Sequence, residues 1–375
     1  MHKLRHLSIM LLAMTVIGLS CSSNTNKENQ QQSQEKSGSG QKPKPKNVIL
    51  MIGDGMGVSQ IYAGMTVSSN PLVFEQFKNI GLQKTYSKDN YITDSGASNT
   101  ALATGEKTAN GHIAMSPSGD TLTTILEMAE QHGYATGLVS TSSILHATPA
   151  AFIAHNKDRH EYASLAEDFL KTDVDVFIGG GYNQFANRDD NRNLVKELEG
   201  KGYQVLRDIQ DIEEVEKGKL AGLTADKHNP KYTEGRGNML PRSTQTALDI
   251  LDNNAKGFFL MVEGSQIDWG GHANDTDYIV NELLDFNRAV EKALAFAKAH
   301  ENTLLIVTAD HETGGMALTG GDREAGQLKA NYGTDGHTGV MVPVFAYGPG
   351  SEKFRGIYEN TAVFDKMQAY YGFDQ

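Results

Sequence analysis

The sequence predicts an α/β fold, with a largely parallel central β-sheet flanked by helices on both faces. Three observations carry this prediction. Apolar runs of strand length recur along the chain. Segments of helical periodicity lie between them. Acids and imidazoles follow directly on several of the apolar runs. In open α/β sheets that position faces the crevice where ligands bind.

The elements follow in order. Residues 1–6 are short and basic, and residues 7–19 form an apolar run too short to span a bilayer comfortably. Residues 1–20 are therefore read as an export signal. Cys21, the single cysteine of the 375 residues, stands where a bacterial lipoprotein signal would be cut and lipidated. Residues 21–46 hold Ser, Asn, Gln, Lys, Gly and Pro with almost no apolar side chain, and are expected to be a flexible tether. A periplasmic or envelope location follows, with membrane contact only through the lipid on Cys21. With no further cysteine, the exported body must hold together without disulfides.

Residues 48–52 (VILMI) read as a buried strand. Residues 95–104 are almost all small, from Ser95 to a C-terminal stop at Gly105, and fit either a tightly packed surface helix or a helix whose N–H groups point at an anion. Residues 121–132 read as a helix closed by Gly133. Residues 135–140 read as a strand, 165–171 as a helix and 174–178 as a strand. Residues 258–262 and 303–308 are further strands. Between those two, Ile279, Leu283, Phe286, Val290 and Leu294 recur at helical spacing. Residues 183–245 and 313–336 are weaker in strand signal and read as insertions in a single catalytic domain, 47–375.

Charge narrows the function. Residues 1–46 carry seven Lys or Arg and two Glu, so residues 47–375 carry about −17 of the total −12. Such a body repels nucleic acid. An anionic substrate would need local positive charge, and bound metal ions are one source. Asp54 follows the first strand. Glu263, Asp268 and His272 follow the strand at 258–262, Asp310 and His311 follow that at 303–308, and His337 lies farther on. Mixed Asp and His suit zinc, whereas an all-oxygen set such as Asp54, Glu263 and a threonine hydroxyl suits magnesium. Arg159, eleven residues after Thr148, offers a two-pronged grip for phosphate.

In order along the chain, "NVILMIGDGMG", "TDSGASNTALATG", "ATPAAFIAH" with its following arginine, "VEGSQID", "IVTADH" and "HTG" resemble the motifs of the alkaline phosphatase family. The resemblance implies an α/β sandwich that hydrolyses small phosphate monoesters, and a homodimer fits the family. It implies Ser95 as a transiently phosphorylated nucleophile. Asp54, Asp310 and His311 would hold one zinc, and Asp268, His272 and His337 a second. Asp54, Thr148 and Glu263 would hold a magnesium, with Arg159 clamping phosphate oxygens. His146 and Trp269 depart from the Asp and Lys that some members carry, which leaves the third ion open. The competing enzyme readings are a phosphodiesterase, a sulfatase or a phosphoglycerate mutase of the same superfamily. Arg159 with the complete third set favours monoesters, and no sulfatase maturation motif is present. Capture of phosphate or metal without catalysis is the non-enzymatic alternative.

Overall fold

The computed structural model describes residues 46–373. The export signal, Cys21 and nearly all of the tether therefore lie outside the described residues.

Ten strands form the central sheet. In chain order they are β1 (Asn47–Gly53), β2 (Asn79–Lys84), β3 (Ala135–Ser143), β4 (Val176–Gly180), β5 (Gln204–Leu206), β6 (Leu220–Ala225), β7 (Phe258–Gly264), β8 (Thr303–Thr308), and, after four short strands outside the sheet, β13 (Val342–Tyr347) and β14 (Gly356–Glu359). The four outside it are β9 (Glu312–Thr313), β10 (Ala317–Asp322), β11 (Gln327–Asn331) and β12 (His337–Thr338). Across the sheet the order is β14-β2-β13-β8-β1-β7-β3-β4-β6-β5. Every pairing in it is parallel except the two that β13 makes. The predicted α/β class, with its largely parallel sheet, is the observed one.

β1 shows why the fold needs two layers of helices. Its residues are buried on both sides, so it reads as a continuous apolar run rather than an alternating one. Ile49 and Met51 face the layer that contains the helices Met239–Leu251 and Thr276–Ala299. Val48, Leu50 and Ile52 face the layer of Ser95–Thr104, Ile125–Gln131 and Thr361–Tyr371. Each such Ile or Leu, fully buried, contributes roughly 1.5–3 kcal/mol.

Several boundaries move from the expected ones. The helix expected over 121–132 starts at Ile125. Thr124 caps it, accepting from the Glu127 N–H at 3.1 Å, while the Glu127 carboxylate accepts from the Thr124 N–H at 2.9 Å. The strand expected at 174–178 runs from Val176 to Gly180. The segment 183–245 supplies β5 and β6, the two outermost strands on that edge of the sheet. Within 313–336, β10 and β11 form an exposed hairpin, and β9 pairs with β12 apart from the main sheet.

Candidate active site

Four neighbouring strands at the middle of the sheet, β8, β1, β7 and β3, end on the same edge. Asp310 and His311 follow β8, Asp54 follows β1, Glu263 is near the end of β7, and Ser140 lies opposite Glu263 on β3. Gly55 turns the chain away with φ +73°, and a Cβ there would stand 2.7 Å from the Asp268 Cα. Only glycine lets the β1 turn lie this close to the next acid.

Ser95 is the first residue of the helix Ser95–Thr104, every residue of which is buried. Asp94 caps it, accepting from the Ala97 N–H at 2.9 Å, and Gly105 ends it in the left-handed conformation. The small side chains allow this helix to press against the end of β8 and the short helix Ala147–Ala150. Ser98 donates to the Asp310 carbonyl at 2.7 Å. Asn99 Nδ2 donates to the Ser95 carbonyl, to Thr148 Oγ1 and to Asp310 Oδ2 at 2.9, 2.9 and 3.1 Å.

Three groups of ligand-type atoms surround this helix start: Asp54, Asp310 and His311; Asp268, His272 and His337; and Asp54, His146 and Glu263. Within each group the candidate atoms lie within 4.8 Å of one another. Ser95 Oγ is 3.3 Å from His311 Nε2. In the second group, His337 Nε2 lies 3.2 Å from His272 Nε2, and Asp268 lies 3.4 Å from His272 and 3.6 Å from His337.

The imidazoles are aimed by their other nitrogens. Nδ1 of His272 meets the Asp335 carbonyl at 2.6 Å and Nδ1 of His337 meets the Thr93 carbonyl at 2.8 Å. Nδ1 of His311 lies 3.2 Å from the Thr313 hydroxyl. All three leave Nε2 facing the acids, the arrangement in which outer partners orient metal-binding histidines.

The electrostatics fit a cation. Burial pushes Asp54 well above the usual carboxylate range, and Asp310, Asp268 and Glu263 add to the shift. Burial, then Asp268, pushes Asp310 up to about 6. Burial likewise pushes Glu263 up to about 7, although the Ser140, Ser265 and Thr148 hydroxyls oppose it. Burial, then the neighbouring His337, holds His311 well below the usual imidazole range. Both carboxylate oxygens of Asp54, Oε1 of Glu263 and Nδ1 of His146 are buried without a hydrogen-bond partner. Buried polar atoms of this kind are rare unless a ligand satisfies them, and converging oxygen and imidazole donors are what divalent metals take.

Arg159 Nη1 donates to Asp94 Oδ2 at 2.9 Å, one residue from the nucleophile candidate. Burial opposes the charge on both groups, yet the pairing lowers the Asp94 pKa and raises that of Arg159. Gly111 N–H donates to the same Asp94 oxygen, so Asp94 holds both the helix cap and the arginine.

All ten sequence-predicted site residues thus meet on one edge of the sheet. Thr148 borders the third group: its hydroxyl accepts from Asn99 Nδ2 at 2.9 Å and works against the burial that raises Glu263. Sequence reasoning left out Asn99, Ser140 and Thr313. Asn99 sits inside the quoted small-residue motif, and its side chain bridges three elements. Ser140 Oγ donates to Glu263 Oε2 at 2.6 Å, and strand register alone places the two opposite each other. The sequence marks His146 only as a departure from the family pattern. Here it is a donor in the third group.

The sequence model of the family described as "Alkaline phosphatase" matches residues 45–330 and 321–372. This chain belongs to the alkaline phosphatase family. Alkaline phosphatase 3 of Bacillus subtilis (strain 168) is 36% identical over 404 residues, covering 84% of this chain and 87% of its own. The alkaline phosphatase of Escherichia coli (strain K12) is 32% identical over 405 residues, covering 87% and 86%. Among solved structures, the alkaline phosphatase of the Antarctic bacterium TAB5 superposes with a TM-score of 0.83 at 42% identity, covering 88% of this chain and 99% of that one. The chain is accordingly a phosphoric monoester hydrolase, and the small phosphorylated substrates expected from its motifs are those of the family. Among the described residues, no helix is long and apolar enough to cross a membrane.

Proposed function

We propose that this chain hydrolyses small phosphate monoesters through a phosphoserine on Ser95, at a centre of two zinc ions and a third ion. The observation that carries the reading is the placement of Ser95 Oγ at a helix N-terminus, 3.3 Å from His311 and among three converging ligand groups. Asp54, Asp310 and His311 would hold the first ion. Asp268, His272 and His337 would hold the second. Asp54, Glu263 and Thr148, joined by His146, would hold the third, read as magnesium. Two such ions would supply Lewis-acid stabilisation of the entering and leaving oxygens and lower the pKa of a coordinated hydroxyl or water.

The protein's own residues do the rest. Ser95 Oγ forms the new P–O bond while the ester P–O bond opposite it breaks and the alcohol departs. Arg159 donates to two non-bridging oxygens, held in place by Asp94. The helix N–H groups face the same charge. Water then displaces Ser95 from phosphorus and releases inorganic phosphate. Two in-line displacements retain configuration at phosphorus.

The export signal, lipidation of Cys21, an envelope location and a homodimer belong to this reading and rest on the sequence and the family alone. The test is metal analysis of the purified protein coupled to assays on a monoester and a diester. Three divalent ions per chain, with monoester hydrolysis far faster than diester hydrolysis, is the expected result. A diester preference, or activity that survives exhaustive chelation with metal confirmed absent, overturns it.

A further inference from the structure

The third ligand group raises a question that its own element does not answer. His146 precedes the short helix Ala147–Ala150, and its side chain makes no capping hydrogen bond. Its Nδ1 is buried without a partner. Something other than a hydrogen bond must fix the ring that joins Asp54 and Glu263.

Two further rings stand against it. His228 meets His146 edge-on, with centroids 5.6 Å apart at 86°. Trp269 does the same at 6.1 Å and 87°, and His228 meets Trp269 at 5.0 Å and 88°. Edge-to-face contacts at such distances are the favoured geometry for π-systems. The three rings form a box, with each ring perpendicular to the other two.

His228 is an exposed loop residue, yet it is held. Its Nδ1 accepts from the Ser143 N–H at 3.1 Å, which leaves Nε2 as the protonated nitrogen. The Ser143 carbonyl in turn accepts from the His146 N–H at 2.9 Å, so both histidines hang from one residue at the end of β3. A Cβ on Gly180 would stand 2.0 Å from the Lys227 carbonyl oxygen, so the end of β4 meets this loop at backbone contact. Beyond His228, the Asn229 carbonyl accepts from Gln266 Nε2 at 2.9 Å. The Pro230 carbonyl accepts from Arg236 Nη1 at 3.1 Å. Arg236 is itself paired with Glu282 and Asp285, all three nearly inaccessible to solvent. A buried ionic anchor of this kind holds a loop to one conformation, because releasing either partner strands a charge.

We propose that His228 is a positioning residue for the third ion site. With Trp269 it fixes the His146 ring so that one ring nitrogen faces Asp54 and Glu263. The proposal rests on the three-ion reading above. His228 touches neither the phosphoryl group nor the ion. It acts through the orientation of His146, as outer partners of metal ligands do.

The experiment is equilibrium dialysis of metal-stripped full-length protein against buffered zinc and magnesium together, with both bound metals counted by mass spectrometry. Wild type, His228→Ala and His228→Phe are compared, with Tm recorded for each zinc-loaded variant. The expected result is a loss of about tenfold in affinity for the third ion in His228→Ala. The first two zinc ions should bind as in wild type. His228→Phe keeps an edge-on ring and should lose no more than about twofold of that affinity. Unchanged third-site affinity in His228→Ala overturns the proposal, as does equal loss in the Phe variant. Weakening of all three ions together also overturns it, because the effect would then be general. A wild type that binds only two ions in all, zinc and magnesium counted together, overturns the three-ion reading itself, and the proposal with it.

Discussion

The two ligand groups nearest Ser95 meet solvent differently. The side chains of Asp54, Asp310 and His311 are wholly inaccessible, whereas that of His272 is 42% exposed. The first group cannot relieve its charges through water, so burial drives its carboxylates up and its imidazole down. In the second group, the hydrogen bond to Asp268 pushes His272 up to about 9. Burial opposes ionisation of Asp268, yet the same contact and the neighbouring imidazoles hold it below the usual carboxylate range. The open group therefore balances its own charge, and the buried group is balanced only by a bound cation. The difference also assigns sides. Ser95 lies against the buried group, and solvent reaches the open one, where in the proposed mechanism the alcohol would leave and water would enter.

The largest expected effect separates nucleophile from ligands. Ser95→Ala should lower kcat by on the order of 10⁴-fold or more. Ser95 contributes no acid or imidazole to either group, so the variant should bind the same number of ions. Steady-state kinetics with metal counting checks this. Loss of ions from the open group along with activity would break the distinction between the two centres.

The next effect concerns the substrate's oxygens rather than the ions. Arg159→Ala removes a pair of charge-assisted hydrogen bonds, each worth roughly 1.5–3 kcal/mol. With partial replacement by water, the expected loss in monoester kcat/KM is about 30- to 1000-fold. Any diester activity should fall much less, because a diester has one charged oxygen fewer to clamp. The ratio of the two losses is the quantity to measure. A ratio near one would make Arg159 a general attractor of anions.

The smallest effect is on stability and sharpens the comparison directly. In metal-free protein, Asp310 at about 6 and Glu263 at about 7 stand above the usual values near 4 for unfolded carboxylates. The folded form then binds these protons more tightly than the unfolded form. Their stabilising contribution is complete below about pH 4 and is lost as pH rises through about 6 to 7. The His272 contribution is complete below about pH 6.5 and is lost progressively as pH rises to about 9. Bound cations remove the cost of ionising the buried acids. The gap in Tm between metal-loaded and metal-free protein should therefore widen by several degrees between pH 5 and pH 8. A gap that stays constant would contradict the account of the buried group.

Much of this was legible in the sequence, for physical reasons that differ by element. β1, β7 and β8 are buried on both faces, so each is a continuous apolar run, and the acids after them mark the sheet edge. The helix at Ser95 carries its own start and stop in Asp94 and Gly105. β5 and β6 were illegible because an edge strand of three residues, or one containing Gly222, has little apolar signal. The Asn99 bridge, the Ser140 to Glu263 contact and the approach of His228 to His146 depend on residues that are distant in sequence. No periodicity or spacing encodes such contacts, and only the folded backbone brings them together.

The central claim is that Ser95 is covalently phosphorylated during turnover. The direct measurement is acid quenching of the wild-type protein during hydrolysis of a phosphate monoester at mildly acidic pH, followed by mass spectrometric location of the phosphate. The account predicts one phosphate, on Ser95, that disappears when substrate is exhausted. Phosphate found reproducibly on another residue, or turnover with inverted configuration at phosphorus and no labelled serine, would contradict it.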